Sequence, residues 1–266
     1  MTLSRFGLLC AAITAIVGCS STDITNTALP PLAGVRYINA LTDTGLVDIR
    51  MVDQVEWSAT ANALDFRKGI EHQPTEAKDR HIRVFSFASR DVSVVQQVLV
   101  DTTITFAENT KSTLLLIGSA RAKTAHFVVI DDAPPTTASN QIAVRAVNAS
   151  TGAIDAYVVT FAADPIAGSP AAANIAVNAA SPYITRPTGV VALKVTDAGS
   201  PTANASAQGP PASAPPIGTP FLPSAGIDTG TSAFSVYYFP RGVAGSAQNA
   251  ITTPGIVWFV DRVPTS

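Results

Sequence analysis

The sequence predicts an all-β protein: two tandem immunoglobulin-like β-sandwich domains behind a cleavable N-terminal segment. Three observations carry this reading. Only 14% of the 266 residues are charged, 47% are hydrophobic, and 17 Gly and 19 Pro punctuate a chain rich in Ala, Thr, Ser and Val. That mixture suits short strands and turns better than helices, because β-branched residues pack on pleated surfaces while Pro and Gly end them. A unit of roughly 100 residues recurs, and no stretch after residue 30 shows convincing helical periodicity.

The N-terminus explains the separate leader. One Arg, Arg5, precedes an apolar run over 6–18, too short for the roughly 20 residues that a membrane-spanning helix needs. The run ends in Ile16-Val17-Gly18-Cys19, which resembles the lipobox of bacterial lipoproteins. The resemblance implies a signal peptide over 1–18 and an N-terminal Cys19 carrying acyl chains such as palmitate. It also implies a lipid-anchored place in the bacterial cell envelope, and Ser20 after the cysteine favours the outer membrane. Residues 19–33 then read as a lipidated tether, polar and ending near Pro30-Pro31.

Cys10 and Cys19 are the only cysteines, so the region beyond the tether is expected to hold no disulfide and no Cys-ligated zinc. A net charge of −2 without a Lys/Arg cluster leaves no electrostatic footprint for nucleic acid.

The repeat is read from both of its ends. Val35-Arg36-Tyr37-Ile38-Asn39-Ala40 recurs as Val144-Arg145-Ala146-Val147-Asn148-Ala149, and Thr44-Gly45-Leu46-Val47-Asp48 as Thr151-Gly152-Ala153-Ile154-Asp155. Phe127-Val128-Val129-Ile130-Asp131-Asp132 aligns with Val257-Trp258-Phe259-Val260-Asp261-Arg262. The sandwiches are placed at 34–135 and 141–266, each expected to own a core. In the first unit, strands are expected at 47–52, 80–87, 92–101, 113–117 and 127–131. In the second they are expected at 154–161, 190–196, 234–239 and 255–261, with one face of each on a core. The second unit is longer. Its surplus is assigned to a Pro/Ala/Gly-rich loop at about 199–231, where the composition offers little area to bury.

Arg36-Tyr37-Ile38-Asn39-Ala40 with the Gly45 turn and Val47-Asp48 resembles the opening of the DUF4397 domain, a cell-envelope domain of unestablished function. Tyr183-Ile184-Thr185-Arg186-Pro187-Thr188-Gly189 resembles its middle segment and 112–118 its penultimate strand. The resemblance covers 33–264 as two copies and brings no enzymatic activity with it.

Candidate sites are few. Arg36 with Asp48, and Arg145 with Asp155, are expected to pair across neighbouring strands, while Asn39 and Asn148 satisfy turn backbone. His72, His81 and His126 lack metal-ligand spacing, and Asp43 with Asp131-Asp132 falls short of the six to eight oxygens calcium needs. Of the aromatics Tyr237, Tyr238, Phe239, Trp258 and Phe259, one member of each adjacent pair is expected in the core. No nucleophile, base and orienter form a catalytic set, no cofactor is implied, and the ligand-binding residues stay open. The expected function is a non-enzymatic envelope lipoprotein, tethered through Cys19, with an interaction or structural role and an envelope protein or glycan as candidate partner. The alternatives are a surface enzyme acting on envelope polysaccharide and a small-ligand carrier.

Overall fold

The computed structural model describes residues 30–55, 60–87, 96–213 and 224–264, and among them there is no helix. The first module contains β1 (Leu32–Asn39), β2 (Val47–Met51), β3 (Ala61–Leu64), β4 (Gln73–Glu76), β5 (Asp79–Ser86), β6 (Val98–Thr105), β7 (Lys111–Ile117) and β8 (His126–Asp131). The second contains β9 (Gln141–Asn148), β10 (Ile154–Val159), β11 (Ala172–Ile175), β12 (Ile184–Pro187), β13 (Ala192–Asp197), β14 (Ala203–Gln208), β15 (Ala233–Phe239) and β16 (Gly255–Arg262).

Each module is a sandwich of two four-stranded sheets. In the first the orders are β4-β1-β7-β8 and β3-β2-β5-β6; in the second, β12-β9-β15-β16 and β11-β10-β13-β14. Every strand therefore occupies the place held by its counterpart eight strands earlier. The parallel pair β1/β7 recurs as β9/β15, and the remaining pairs are antiparallel. Four-residue strands form edges of all four sheets, and two of them carry Pro74 and Pro187, which a central strand would not tolerate.

Three cores hold this together. Val35, Tyr37, Ile49, Ile82 and Leu114 lie between the sheets of the first module, and Val144, Ile154, Leu193, Phe234 and Val236 between those of the second. The third core is shared: Ile38, Phe66, Leu115 and Ile130 pack with Val147, Tyr237 and Phe239. The sheets containing β1 and β9 thus turn their second faces to one another, and their central strands are covered on both sides. Strand β15, Ala-Phe-Ser-Val-Tyr-Tyr-Phe, is buried at every position, the pattern of a strand without a solvent face.

This corrects the expected arrangement of one face on a core. Tyr237, Tyr238 and Phe239 are all buried, because the face that an isolated sandwich would leave to solvent is the joint between modules. The loop placed at 199–231 is corrected as well, since it contains β14, which hydrogen-bonds along β13. Its Ala-Asn-Ala-Ser-Ala-Gln sequence reads as loop, yet alternating methyls suffice for an edge strand. The extra chain lies between β14 and β15, from 209 to 232, and even there Ile227 enters the second core. The strand expected at 92–101 is β6, starting at Val98; residues 92–95 lie outside the described residues.

Candidate functional site

Two features dominate the module joint, one buried and one open. The buried feature starts from Arg36 on β1 and Arg145 on β9, whose side chains point into the joint. Arg36 Nε donates to the Thr113 hydroxyl at 2.9 Å, Nη1 to the Val260 carbonyl at 3.0 Å, and Nη2 to Asp261 at 2.7 Å and Asp132 at 3.3 Å. Arg145 repeats the arrangement: Nε donates to the Ser235 hydroxyl at 2.7 Å, Nη1 to the Asp131 carbonyl at 2.7 Å, and Nη2 to Asp132.

Both carboxylates are held by their own module too. The Thr113 hydroxyl donates to Asp132 at 2.5 Å and the Ser235 hydroxyl to Asp261 at 2.6 Å. His72, just before β4, lies 2.8 Å from Asp132, and Tyr183, just before β12, donates to Asp261 at 2.8 Å. The cluster is an approximate two-fold in which Arg36, Thr113, Asp132 and His72 correspond to Arg145, Ser235, Asp261 and Tyr183. The Arg36 guanidinium also lies 5.5 Å from the Phe259 ring centre, and Arg145 lies 4.5 Å from that of Tyr183.

Burial and charge compete here. Burial pushes the Asp132 carboxyl up, but His72, Arg36, Thr113 and Arg145 outweigh it and hold the group below the usual carboxylate range. Burial likewise opposes the charge on Arg36, and Tyr237, Asp261 and Asp132 reverse that effect. The Tyr183 hydroxyl is pushed up by burial and by Asp261, so it stays a donor.

The expected pairs Arg36/Asp48 and Arg145/Asp155 do not form. Asp48 accepts instead from the Ala63 amide at 2.8 Å, and Asp155 from the amides of Asn174 at 2.6 Å and Gly199 at 2.8 Å. Ala63 and Asn174 have positive φ, so each carboxylate caps an irregular edge where β3 or β11 shifts register. The Asn reading stands: Asn39 and Asn148 side chains accept from Leu41 and Ser150 amides at 3.0 and 2.9 Å. The alignment of Asp131 with Asp261 was one residue out. Register opposes Thr113 to Ile130 and Ser235 to Phe259, making Asp132 the counterpart of Asp261.

Asp43 is not brought to Asp132. It accepts from Ser119 and from the Ala120 and Arg121 amides, which together hold it below the usual range against the effect of burial. His81 pairs with Asp101 on the surface, and His126 donates from Nδ1 to the Thr124 carbonyl at 2.8 Å. Among the described residues no three His, Cys, Asp or Glu converge as metal ligands. Sequence reasoning missed Thr113, Ser235 and Tyr183 as members of the cluster and weighed His72 only as a metal ligand; their positions beside the repeated Arg and at the repeated edge strand are the signal that finds them. Cys19 lies outside the described residues.

The open feature lies at the opposite end of β1 and β9, where the chain leaves both strands. A cleft of about 480 Å³ is bounded by Thr42, His126, Thr151, Asn178 and Pro240, and a second of about 510 Å³ shares Thr42, Thr151 and Pro240 and extends to Arg241 and Asn249. Both span the joint.

Residues 33–158 match the family described as "Domain of unknown function (DUF4397)". The DUF4397 match runs through all of the first module and ends within β10, so it includes both repeated Arg residues. Among solved structures, the chain is similar to a family CBM26 module, CBMbc, from Eubacterium rectale Amy13K, in complex with maltoheptaose. That likeness has 11% identity and a TM-score of 0.25 over 88% of this chain and 98% of that one, too distant to carry an argument. No curated protein matches the chain.

Proposed function

We propose that this chain is a non-enzymatic envelope lipoprotein, anchored to the outer membrane through lipid on Cys19, that presents two jointed sandwiches for interaction. One observation carries the non-enzymatic part. The charged residues repeated in both modules, Arg36, Asp48, Asp132, Arg145, Asp155 and Asp261, are all buried and bonded to one another or to backbone. A general acid, base or nucleophile must reach a substrate proton or carbon within hydrogen-bond distance, and groups committed in this way do not. The repeated chemistry of Arg36, Asp132, Arg145 and Asp261 serves the joint, and that of Asp48 and Asp155 the edges at β3 and β11.

The anchoring part rests on the lipobox resemblance at residues 16–19. Labelling cells with an alkyne fatty acid should mark the full-length protein and leave Cys19→Ala unmarked and soluble, since stable anchoring takes more than one acyl chain. An unlabelled wild type recovered from the soluble fraction would refute it.

A further inference from the structure

We infer that the two adjoining clefts at the far end of the joint form one binding site for a hydroxyl-rich oligosaccharide, reached by side chains of both modules. The inference deepens the proposed interaction role and rests on it.

The polar groups at this end fall into two sets. Those beneath the clefts are spent internally: Asn148 Nδ2 donates to the Gly152 and Ile175 carbonyls, and Gln248 Nε2 to the Thr44 carbonyl and to Asp65. Those on the cleft walls divide again: Ser119 and Ser150 donate to Asp43 and Asn148, and Asn249 accepts from the Gly245 amide, while others are open. The side chains of Thr42, Thr151 and Asn178 have no hydrogen-bond partner among the described residues, and neither does Nε2 of His126, whose Nδ1 is held by Thr124. Thr42, Thr151 and Asn178 carry no charge, and their hydroxyls and carboxamide both donate and accept, which matches sugar hydroxyls rather than an ion.

Shape and charge agree. The clefts meet at Thr42, Pro240 and Thr151, making one continuous groove, and among the described residues no Asp or Glu lines either one. Arg241, exposed and without an ion pair among the described residues, stands at one end, where a uronic carboxylate fits. Val177, exposed at the rim, supplies methyls for the C–H face of a sugar, over a floor of largely buried Ala40, Ala149 and Ile117.

An extended peptide fits less well, because strand addition needs a row of free backbone groups. Here the backbone is committed: the Ala40 amide donates to Leu116, Ala149 to Tyr238, Asn178 to Asn148 and Val243 to Thr42, at 2.8 to 2.9 Å. The groove also faces away from the end where β1 begins. Eight residues of strand separate the two ends, roughly 25 Å.

The test is calorimetric titration of the full chain with short neutral glucose and galactose oligosaccharides, uronic-acid oligosaccharides and alanine-rich peptides. At least one sugar should bind. Thr42→Ala/Thr151→Ala should weaken it about tenfold or more, the loss expected when two hydrogen bonds are removed, and Thr151→Arg should block it. Arg241→Ala should weaken only the uronic ligands. Both threonine sites are partly or fully exposed, so unchanged melting temperatures should accompany these losses. No sugar binding, sugar binding indifferent to Thr151→Arg, or peptide binding abolished by it would each overturn the assignment. Fatty-acid labelling of the same preparations separates the two claims: labelled protein that binds no sugar refutes the groove alone, and unlabelled protein that binds sugar refutes the anchor alone.

Discussion

Arg36, in the first module, places a guanidinium nitrogen 2.7 Å from the carboxylate of Asp261, in the second, and both side chains are almost fully removed from water. A desolvated pair of this kind adds little net stability unless its remaining donors and acceptors are also met. Here they are, through Thr113, Val260, Ser235 and Tyr183. The contribution is register. With the shared core around Tyr237 and Phe239, the pairs fix how one sheet lies on the other.

Removing one partner should therefore cost more than removing the set. Asp132→Ala leaves Arg145 without a carboxylate and Arg36 with one, and should lower stability by about 3–5 kcal/mol in urea titration. Replacing Arg145, Arg36, Asp132 and Asp261 together by apolar residues of similar volume should recover much of that loss. A single substitution without effect would mean the cluster is solvated.

Acid should release the same interaction. The folded Asp132 carboxyl lies below its ordinary value, so its stabilisation is fully present above the unfolded value of about 3.9. It is lost as pH falls through the lower, folded value. Urea midpoints should fall below about pH 4, and Asp132→Asn should start lower and show a shallower fall.

Much of the fold was legible because it is written twice. Arg36/Arg145 and Asn39/Asn148 mark the same strand in each half, and a match at both ends of the unit implies the same sandwich. The edge strands were not legible. β3, β4, β11 and β12 have four residues each, and β14 is small and polar; at an edge one half of the backbone pairing suffices and little area is buried. The joint was hidden for another reason. Ser235 and Tyr237 look like the outward positions of a half-exposed strand, and only the second module explains why that face is buried. Arg36 was legible as unusual, but a sequence gives no hint that its partner is Asp261, 225 residues away.

Backbone approach at the joint gives a steric probe. A Cβ on Gly69 would lie 2.7 Å from the Phe259 ring of the other module and 2.9 Å from Ile38, closer than side chains approach. Gly69→Ala should lower the melting temperature by several degrees, whereas Gly152→Ala, with nothing within 4 Å, should change it little. Equal behaviour would place the modules further apart.

The connection between β14 and β15 offers a contrast. Replacing residues 214–223 by a short Gly-Ser link should change stability by no more than about 1 kcal/mol, since loop closure varies only as the logarithm of length. Replacing 203–208 in the same way should cost far more, because it removes a strand and its ladder to β13. Thermal melts of the two variants distinguish them, and equal losses would contradict the topology.

The joint itself is tested most directly by a double-mutant cycle on Arg36→Ala and Asp261→Ala, read from urea unfolding of the full chain. The two residues belong to different modules, so independent sandwiches would give additive losses within about 0.5 kcal/mol. If the two sandwiches are locked through this pair, the expected coupling is between about 1 and 3 kcal/mol, with one cooperative transition in the wild type. Additive losses, or two separate transitions in the wild type, would contradict it.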